Sequence, residues 1–598
     1  MKFKRFAEYL ERIEQTPSRL KMTSVLAELF GEATADEIDQ MVYLALGRLR
    51  PKYESVEFNL AEKMMFRVMA EAYQVEPAKV KQAFKKTGDL GGAVEELPHF
   101  AKASRGTAKD LSVAEVYQRL MDVAADEGVG SQERKVNHMA NLIRDLDSLS
   151  AKYVLRIPVK KLRLGFSDMT VLDGLSWMEA GDKSLRPQLE RAFNVSADIG
   201  GIAERFKKGG LAGVAGVKVK VAVPIRTAQA ERLPNEKAVV EKLKVFAVEG
   251  KYDGLRVQIH VDKSPDSKRK IQSDLFGESK KFVEIFSRNL DNMTHMFPDI
   301  VAAADKLKVK TAILDGEAVA FEPKTGKSLP FQETVTRKRK HGVKNKAKEM
   351  PLKVIIYDLL YLNGTTLIEK PFKERRKQLE KVLGRNGKTD GLELAEQEIV
   401  SEPERLNQLL KKYLKEGLEG VMCKKLTTAY QAGARNFNWV KLKKTSQKEL
   451  ADTIDCVVMG YYAGRGKRSG FGIGAFLVGV THKSEARSTK SEIGVGSVAK
   501  IGTGLTDEQW REIRRRADKL KVKAKPEEYV VDKNLAPDVW VRPEMVVEIL
   551  ADEITRSPIH AFGLALRFPR LISFRDDKDV GQATTKRELE RLFKLQRG

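Results

Sequence analysis

The residues able to do chemistry in this chain sit at what read as strand ends and strand faces. Lys251 stands in Glu249-Gly250-Lys251-Tyr252-Asp253-Gly254-Leu255-Arg256. An apolar run, Val245–Val248, precedes it, and Val257, Ile259 and Val261 alternate with Arg256, Gln258 and His260 after it. The lysine is therefore expected at the end of one buried strand, with Arg256 entering the next. Gly250 and Gly254 are expected to let the backbone turn tightly and a bulky ligand approach. In Thr311–Phe321, period two puts Asp315 and Glu317 on one face of an otherwise apolar strand. Two desolvated carboxylates side by side repel each other and call for a cation or a hydroxyl as partner. In the same way Trp439, Lys441 and Lys443 share a face, and the adjacent lysines call for an anion, for which a phosphate is the natural choice. Arg567, Arg570, Arg575 and Lys578 put four cations into twelve residues interrupted by apolar ones, a pattern expected to aim several charges toward one anion.

The elements that must position these groups fall into three stretches. At 598 residues the chain is multidomain, since about 150 residues per domain is a fair prior. Residues 1–218 read as helical: Phe6, Leu10 and Ile13 share one face, Val25, Leu26, Leu29 and Phe30 a second, Met64, Val68 and Met69 a third. Residues 219–448 alternate strands and helices, an α+β pattern beginning near Val223–Arg226. Residues 449–598 read as short strands with many glycines (454–459, 475–480, 491–495, 545–550), which suits a small Greek-key barrel of the OB type. The formal charge of +25 with a pI near 9.6 favours a polyanionic partner such as nucleic acid. No apolar run reaches the ~18 residues of a membrane span and the N-terminus lacks a signal-peptide pattern, so a cytoplasmic protein is expected. Cys423 and Cys456 are the two cysteines and the seven histidines are scattered, which leaves no disulfide framework and no zinc motif. A catalytic metal would have to be held by carboxylates and phosphates, as Mg²⁺ or Mn²⁺ is.

Taken in order, these stretches resemble the ATP-dependent DNA ligases of the archaeal and eukaryotic replicative type. The resemblance rests on Lys251-Tyr252-Asp253-Gly254-Leu255-Arg256, Ser287-Arg288, Asp315-Gly316-Glu317, the Phe331-Gln332 segment with Arg337–Lys340, Tyr357 beside Asp358, Glu416–Lys424, Tyr430–Lys443 and the tail Leu566–Lys578. Upstream, Gly128-Val129-Gly130-Ser131 and Lys161–Asp173 resemble that family's helical DNA-binding domain, and a helix N-terminus after Gly-x-Gly-Ser could face a phosphate. The resemblance implies a helical DNA-binding domain at 1–218, an adenylation domain at 219–448 and an OB-fold domain at 449–598. It implies Lys251 as the nucleophile that attacks ATP and carries AMP. A free lysine near pKa 10.4 is neutral in only about one molecule in 2,500 at pH 7, so cations, metal or desolvation must activate it. It further implies Glu249 and Tyr357 on adenine, Arg256 and Arg288 on ribose and phosphates, and Glu317 and Glu419 as metal carboxylates. Lys441 and Lys443 would meet the phosphoryl charge, Arg435 would join the nucleotide set, and Arg570 and Lys578 would orient pyrophosphate. Tyr357 stands where family members usually have Phe, Thr445 where they often have Asp, and Cys423 where an aliphatic residue is usual.

The implied partner is nicked double-stranded DNA, met by a monomer. An RNA ligase or capping enzyme shares the lysine motif but not the large helical region before it. A non-enzymatic descendant is opposed by the intact Lys251, Glu317 and Glu419, and an NAD⁺-dependent ligase by the shortage of cysteines. The segment Asp262–Lys281 is longer than the family's usual turn and holds Gln272-Ser273-Asp274-Leu275-Phe276, which is similar to peptides that dock on a sliding clamp. Its apolar pair is expected either to fold back onto the adenylation domain or to dock there.

Overall fold

The computed structural model describes residues 1–97, 108–264, 282–322, 328–329, 331–339, 342–384, 387–389, 391–443, 453–464, 471–483 and 493–595. The chain divides into two compact units: Met1–Val80 with Leu97–Lys444, and Lys81–Glu96 with Thr445–Gly598.

In the first unit the described regular structure is helical as far as Ala215. The spacing of Phe6, Leu10 and Ile13 builds the buried face of helix Phe3–Glu14, and Val25, Leu26, Leu29 and Phe30 that of Arg19–Glu32. In Glu62–Tyr73 the face is carried by Met65, Val68 and Met69, while Met64 is only half-buried. A reciprocal Ser112/Glu115 capping box starts helix Val113–Ala125. Helix Ser131–Asp145 follows Gly128 and Gly130, whose φ values of +86° and +77° require a residue without Cβ. Arg134 closes that loop by donating to the carboxylate of Asp126 and the carbonyl of Val129.

From Gln229 the strands are, in chain order, β1 Gln229–Arg232, β2 Phe246–Lys251, β3 Leu255–Asp262, β4 Phe282–Ser287, β5 Thr311–Ala320, β6 Leu352–Leu362, β7 Thr365–Thr366, β8 Lys388–Thr389, β9 Leu392–Leu394, β10 Gln397–Val400, β11 Gly420–Lys425 and β12 Arg435–Lys443. One sheet has the order β1-β12-β11-β2-β10, the other β4-β3-β5-β6-β9-β8 with β7 on β6. Between β2 and β3, Tyr252, Asp253 and Gly254 carry the chain from one sheet into the other. The flanking glycines do not serve the turn as expected, for neither has a positive φ. A Cβ on Gly254 would lie 2.4 Å from the Ala318 carbonyl oxygen, and one on Gly250 2.7 Å from Leu418 Cδ1. Close packing between strands and helix, rather than turn geometry, excludes a side chain at both.

Each sheet buries one face on helices. Val248, Val421, Cys423, Val440 and Leu442 pack against Leu406 and Leu410 of helix Pro403–Lys415 and Val239 of Glu236–Leu243. Val257, Ile259, Leu314, Val354 and Ile356 pack on Ile300 of helix Pro298–Asp305 and Leu379 of Phe372–Leu383. The other face of the second sheet adds Ile313 and Leu360 to a smaller apolar cluster with Ile225, Tyr430 and Trp439. Asp358 of β6 and Arg375 of helix Phe372–Leu383, both fully buried, form a two-pronged pair at 2.7 and 2.8 Å.

The second unit is β-rich and of the OB type. Its strands are β13 Ile454–Tyr462, β14 Ala475–Lys483, β15 Ile493–Ile501, β16 Lys521–Val522, β17 Tyr529–Val530, β18 Val539–Val541, β19 Val546–Leu550, β20 Glu553–Arg556, β21 Leu564–Arg567 and β22 Arg570–Phe574. The order is β16-β18-β13-β14-β15-β17, with β19 on β13 and β22. Ile454, Val458, Phe476, Val478, Val498 and Ile501 form its core with Trp510 and Ile513 of helix Asp507–Lys519. Among the described residues no helix is long and apolar enough to cross a membrane.

Removing one partner of a buried ion pair strands the other charge, at a cost of about 3–5 kcal/mol. Asp358→Ala is therefore expected to lower the stability of the first unit by that order, read as a shift of its denaturant midpoint. Removing both charges in Asp358→Leu/Arg375→Met is expected to cost less than the single change.

Candidate active site

Strand register builds the site. β11 lies antiparallel between β2 and β12: Gly420 faces Lys251 and Lys443, Met422 faces Glu249 and Lys441, and Lys424 faces Ala247 and Trp439. Period two then puts Glu249, Lys251, Met422, Lys424, Trp439, Lys441 and Lys443 on one face, so the shared face expected for Trp439, Lys441 and Lys443 is observed. Gly420 has φ +143°, and a Cβ there would lie 2.3 Å from the Leu442 carbonyl oxygen. That closeness brings the two lysines to the preceding residue, Glu419. Its N–H donates to the Lys251 carbonyl at 3.0 Å, and its Oε2 lies 2.6 Å from Lys251 Nζ and 2.9 Å from Lys443 Nζ.

A concave site of about 410 Å³ is lined by Glu249, Lys251, Arg256, Arg288, Glu317, Tyr357, Arg435 and Lys441, together with Gln229, Asn289, Lys338, Met422, Lys424 and Trp439. One end is cationic. Burial lowers the pKa of the Lys441 ammonium, and the neighbouring charges of Arg435, Lys443, Lys251 and Arg288 lower it further. A group of cations that raise one another's energy is stabilised by a polyanion. The other end is apolar and acidic. Glu249 is 2% exposed; its Oε2 lies 2.7 Å from Lys424 Nζ, while its Oε1 is buried, 3.7 Å from Arg376 Nη1, and among the described residues accepts no hydrogen bond. Burial raises the Glu249 pKa and lowers that of Lys424, and their mutual attraction opposes both shifts. Lys424 Nζ also lies 4.5 Å from the ring centroids of Tyr357 and Trp439. An acceptor without a donor beside aromatic rings, with cations at the far end, fits a nucleobase carrying an amine and a chain of phosphates.

Asp315 meets the cation and the hydroxyls that its setting calls for, all of them side chains: Arg256 Nε and Nη2 reach its two oxygens at 3.1 and 2.6 Å, and the hydroxyls of Tyr430 and Tyr357 donate to it at 2.9 and 3.3 Å. Arg256 Nη1 donates to the Ala228 carbonyl at 2.7 Å. Arg256 thus lines the site as part of a fixed network, with these donors already engaged. The four tail cations do not converge on one anion. Arg567 pairs with Glu553 and Arg570 with Asp552, while Arg575 and Lys578 share Asp455, Lys578 at 2.6 Å. All four lie in the second unit, and each meets a carboxylate of its own unit. Arg337, which the sequence places in a charge run, is 1% exposed and bonded to Asp299 and the Met350 carbonyl. Lys340, Thr445, Gln272–Phe276 and most of Gly464–Gly470 lie outside the described residues. Lys424 and Lys338 gain a place in the lining that their sequence context does not assign, and Trp439 joins them there. Lys424 and Trp439 are within reach of a period-two reading carried across neighbouring strands.

Glu317 and Glu419 flank Lys251 with opposite tendencies. Burial raises Glu317 to about 7, against the pull of Lys251 and Arg256. Glu419 resists its own burial and is held at about 2 by Lys251 and Lys443. Among the described residues no three His, Cys, Asp or Glu side chains cluster to hold a metal. Two carboxylates completed by substrate phosphates nonetheless suit Mg²⁺, and Glu317, desolvated and without an ion-pair partner among the described residues, is an oxygen donor awaiting a cation. In metal-free buffer the native state keeps the Glu317 proton up to about pH 7, whereas the unfolded chain releases it near 4.5. Stability from this group is thus full below about 4.5 and lost as pH rises toward 7, an effect on the order of 3 kcal/mol. Glu317→Gln is expected to flatten the decline of melting temperature across that window, which melting curves of both proteins from pH 5 to 8 will check.

Comparison with known proteins shows the family. Residues 2–176 match the model of the DNA ligase N terminus, 228–443 that of the ATP dependent DNA ligase domain, and 469–578 that of the ATP dependent DNA ligase C terminal region. A "Probable DNA ligase" of Dictyoglomus turgidum is 42% identical over 606 residues, covering 100% of this chain and 98% of that protein. "DNA ligase 2" of Thermofilum pendens is 40% identical over 612 residues, covering 99% and 97%. The solved structure "Pmar-Lig_Pre." superposes with a TM-score of 0.54 at 18% identity over 96% of this chain and 99% of that one, a likeness of fold. The chain belongs to the ATP-dependent DNA ligase family, enzymes whose general activity is the sealing of nicks in DNA.

Proposed function

We propose that this enzyme joins 5′-phosphate and 3′-hydroxyl ends at nicks in duplex DNA through a lysyl-AMP intermediate on Lys251 and a DNA-adenylate. The observation that carries the reading is Lys251 at the cationic end of a site whose other end offers an unbonded carboxylate oxygen among aromatic rings. In the first step Glu249 Oε1 accepts from the adenine amine and Tyr357 bounds the base. The Lys251 ammonium, held by Glu419 at 2.6 Å, gives up its proton to solvent, and the free amine attacks the α-phosphorus. The bond to pyrophosphate breaks and a phosphoramidate forms. Lys441, Arg435 and Arg288 stabilise the charge that develops on the phosphoryl oxygens. Glu317 and Glu419 would hold Mg²⁺, which would supply charge neutralisation at the phosphates. In the second step an oxygen of the DNA 5′-phosphate displaces Lys251 from AMP. In the third, the 3′-hydroxyl attacks that 5′-phosphate, loses its proton and releases AMP. Arg570 and Lys578 act in the first step only, on the pyrophosphate, which requires them to exchange Asp552 and Asp455 for that anion.

The reading extends to replication, repair and recombination, and to residues 1–218, 219–448 and 449–598 as the DNA-binding, adenylation and OB-fold domains. Clamp docking through Gln272–Phe276 belongs to the same set of proposals.

Incubation with α-labelled ATP is the direct test. Lys251→Ala is expected to abolish covalent labelling while leaving nicked-DNA binding largely intact; label on the mutant would place the nucleophile elsewhere. Labelling by GTP in preference to ATP, or sealing of RNA alone, would favour the capping-enzyme or RNA-ligase reading.

Arg570→Ala and Lys578→Ala are expected to slow self-adenylation far more than the sealing of DNA already carrying a 5′-adenylate. Equal loss in both assays would make the tail structural.

A further inference from the structure

Beside the nucleotide site lies a second, smaller crevice of about 260 Å³ that the proposed chemistry leaves unused. Its lining includes Arg48 and Lys52 from the helical stretch, Arg226 from the segment before β1, and Arg288, against one carboxylate, Asp168. Asp168 is already paired with Arg48 at 2.5 Å. The two sites share Arg288, Asn289 and Gln229, so the crevice continues from the phosphate end of the nucleotide site.

Arg226 is the unusual member. Its backbone is clipped on both sides, N–H to the Asn194 carbonyl at 2.8 Å and carbonyl to the Gly433 N–H at 3.0 Å. Its guanidinium lies 4.9 Å from the Phe193 ring centroid, and Nη1 donates to Asn194 Oδ1 at 2.7 Å. A Cβ at Gly433 would strike Asn194 Oδ1 at 2.3 Å and approach Arg226 Nη1 at 3.1 Å, so the glycine makes room for the arrangement. Among the described residues no carboxylate forms an ion pair with Arg226, and its partial burial lowers its pKa. A partly desolvated guanidinium held in place by a neutral amide, in a crevice with excess positive charge, is stabilised by an incoming phosphate.

We infer that this crevice is a second phosphate subsite, anchored by Arg226, that takes a backbone phosphodiester of the nicked duplex; the inference rests on the DNA reading proposed above. The crevice draws cations from both the helical and the strand-forming parts of the first unit and opens toward the exposed Lys52. That suits a strand running on past the nucleotide site. Free pyrophosphate presents the same chemistry, and the test separates the two.

Arg226→Gln, which keeps a donor for Asn194, and Lys52→Glu, at an exposed position, are compared with the wild type. Binding of nicked duplex is measured against salt, alongside labelling by α-labelled ATP, pyrophosphate-driven loss of that label, and melting temperature. Each variant is expected to bind nicked DNA more weakly and to reduce the slope of log affinity against log salt by about one for each phosphate no longer neutralised. Self-labelling and pyrophosphate-driven loss of label are expected to stay at the wild-type rate. An unchanged salt slope in Lys52→Glu, or in a folded Arg226→Gln, would overturn the inference. A loss confined to the pyrophosphate reaction would also overturn it, by assigning the crevice to the leaving group. Absence of label on the wild type would instead sink the Lys251 reading, while the salt slope still judges the crevice.

Discussion

The antiparallel pairing of β2 with β11, with Gly420 opposite Lys251, is the constraint on which the site depends. Every residue of the cationic end contributed by this sheet is placed by counting from that pair. Lys443 comes to Gly420 from the other side, and the N–H of Glu419 binds the Lys251 carbonyl. A slip of one residue in β11 would turn Met422 and Lys424 into the apolar core and bring Val421 and Cys423 into the nucleotide site. The alternation of Val421, Cys423, Val440 and Leu442 against helix Pro403–Lys415 forbids that slip, so core packing behind the sheet fixes the chemistry in front of it. Gly420 admits the close approach because any side chain there would meet the β12 backbone.

Within this frame the charges are left unbalanced among the described residues. At the apolar end Lys424 pairs with one oxygen of Glu249, and among the described residues the other accepts no hydrogen bond. At the cationic end Lys251, Lys441, Arg435 and Arg288 outnumber the carboxylate that two lysines share. Buried ion pairs add little net stability once desolvation is counted, and the residual imbalance at both ends favours a ligand of matching polarity. Contrast Asp358 with Arg375, where both oxygens and the facing guanidinium nitrogens are satisfied in the core. That pair orients the strand beside Tyr357 and needs nothing from outside.

The local content of the site was legible in the sequence because period two converts spacing into faces. Trp439, Lys441 and Lys443 share a face as read, and Lys251 ends a buried strand as read. What could not be read was pairing at long separation. Arg256 with Asp315, Lys424 with Glu249 and Arg337 with Asp299 join residues far apart in the chain, and single-strand periodicity carries no information about which strands become neighbours. The lysine motif gave two successive strands with a turn between them but not their sheets, and β2 and β3 enter separate ones. Its glycines are explained by packing against Leu418 and the Ala318 carbonyl. The tail misled for a related reason. Spacing supplied four cations but not the acids opposite them, and Glu553, Asp552 and Asp455 divide them.

The two carboxylates beside Lys251 show how one strand end supports opposite electrostatic roles. Glu419 enters β11 between two ammonium groups and stays ionised, so it can hold Lys251 in place before any substrate arrives. Glu317 lies on the other sheet, behind the Arg256–Asp315 pair, where the arginine's charge is largely answered by Asp315. Its burial therefore dominates, and its proton is retained to near neutrality. The asymmetry follows from geometry: one acid faces two lysines that keep it charged, while the other faces an arginine whose charge Asp315 already answers.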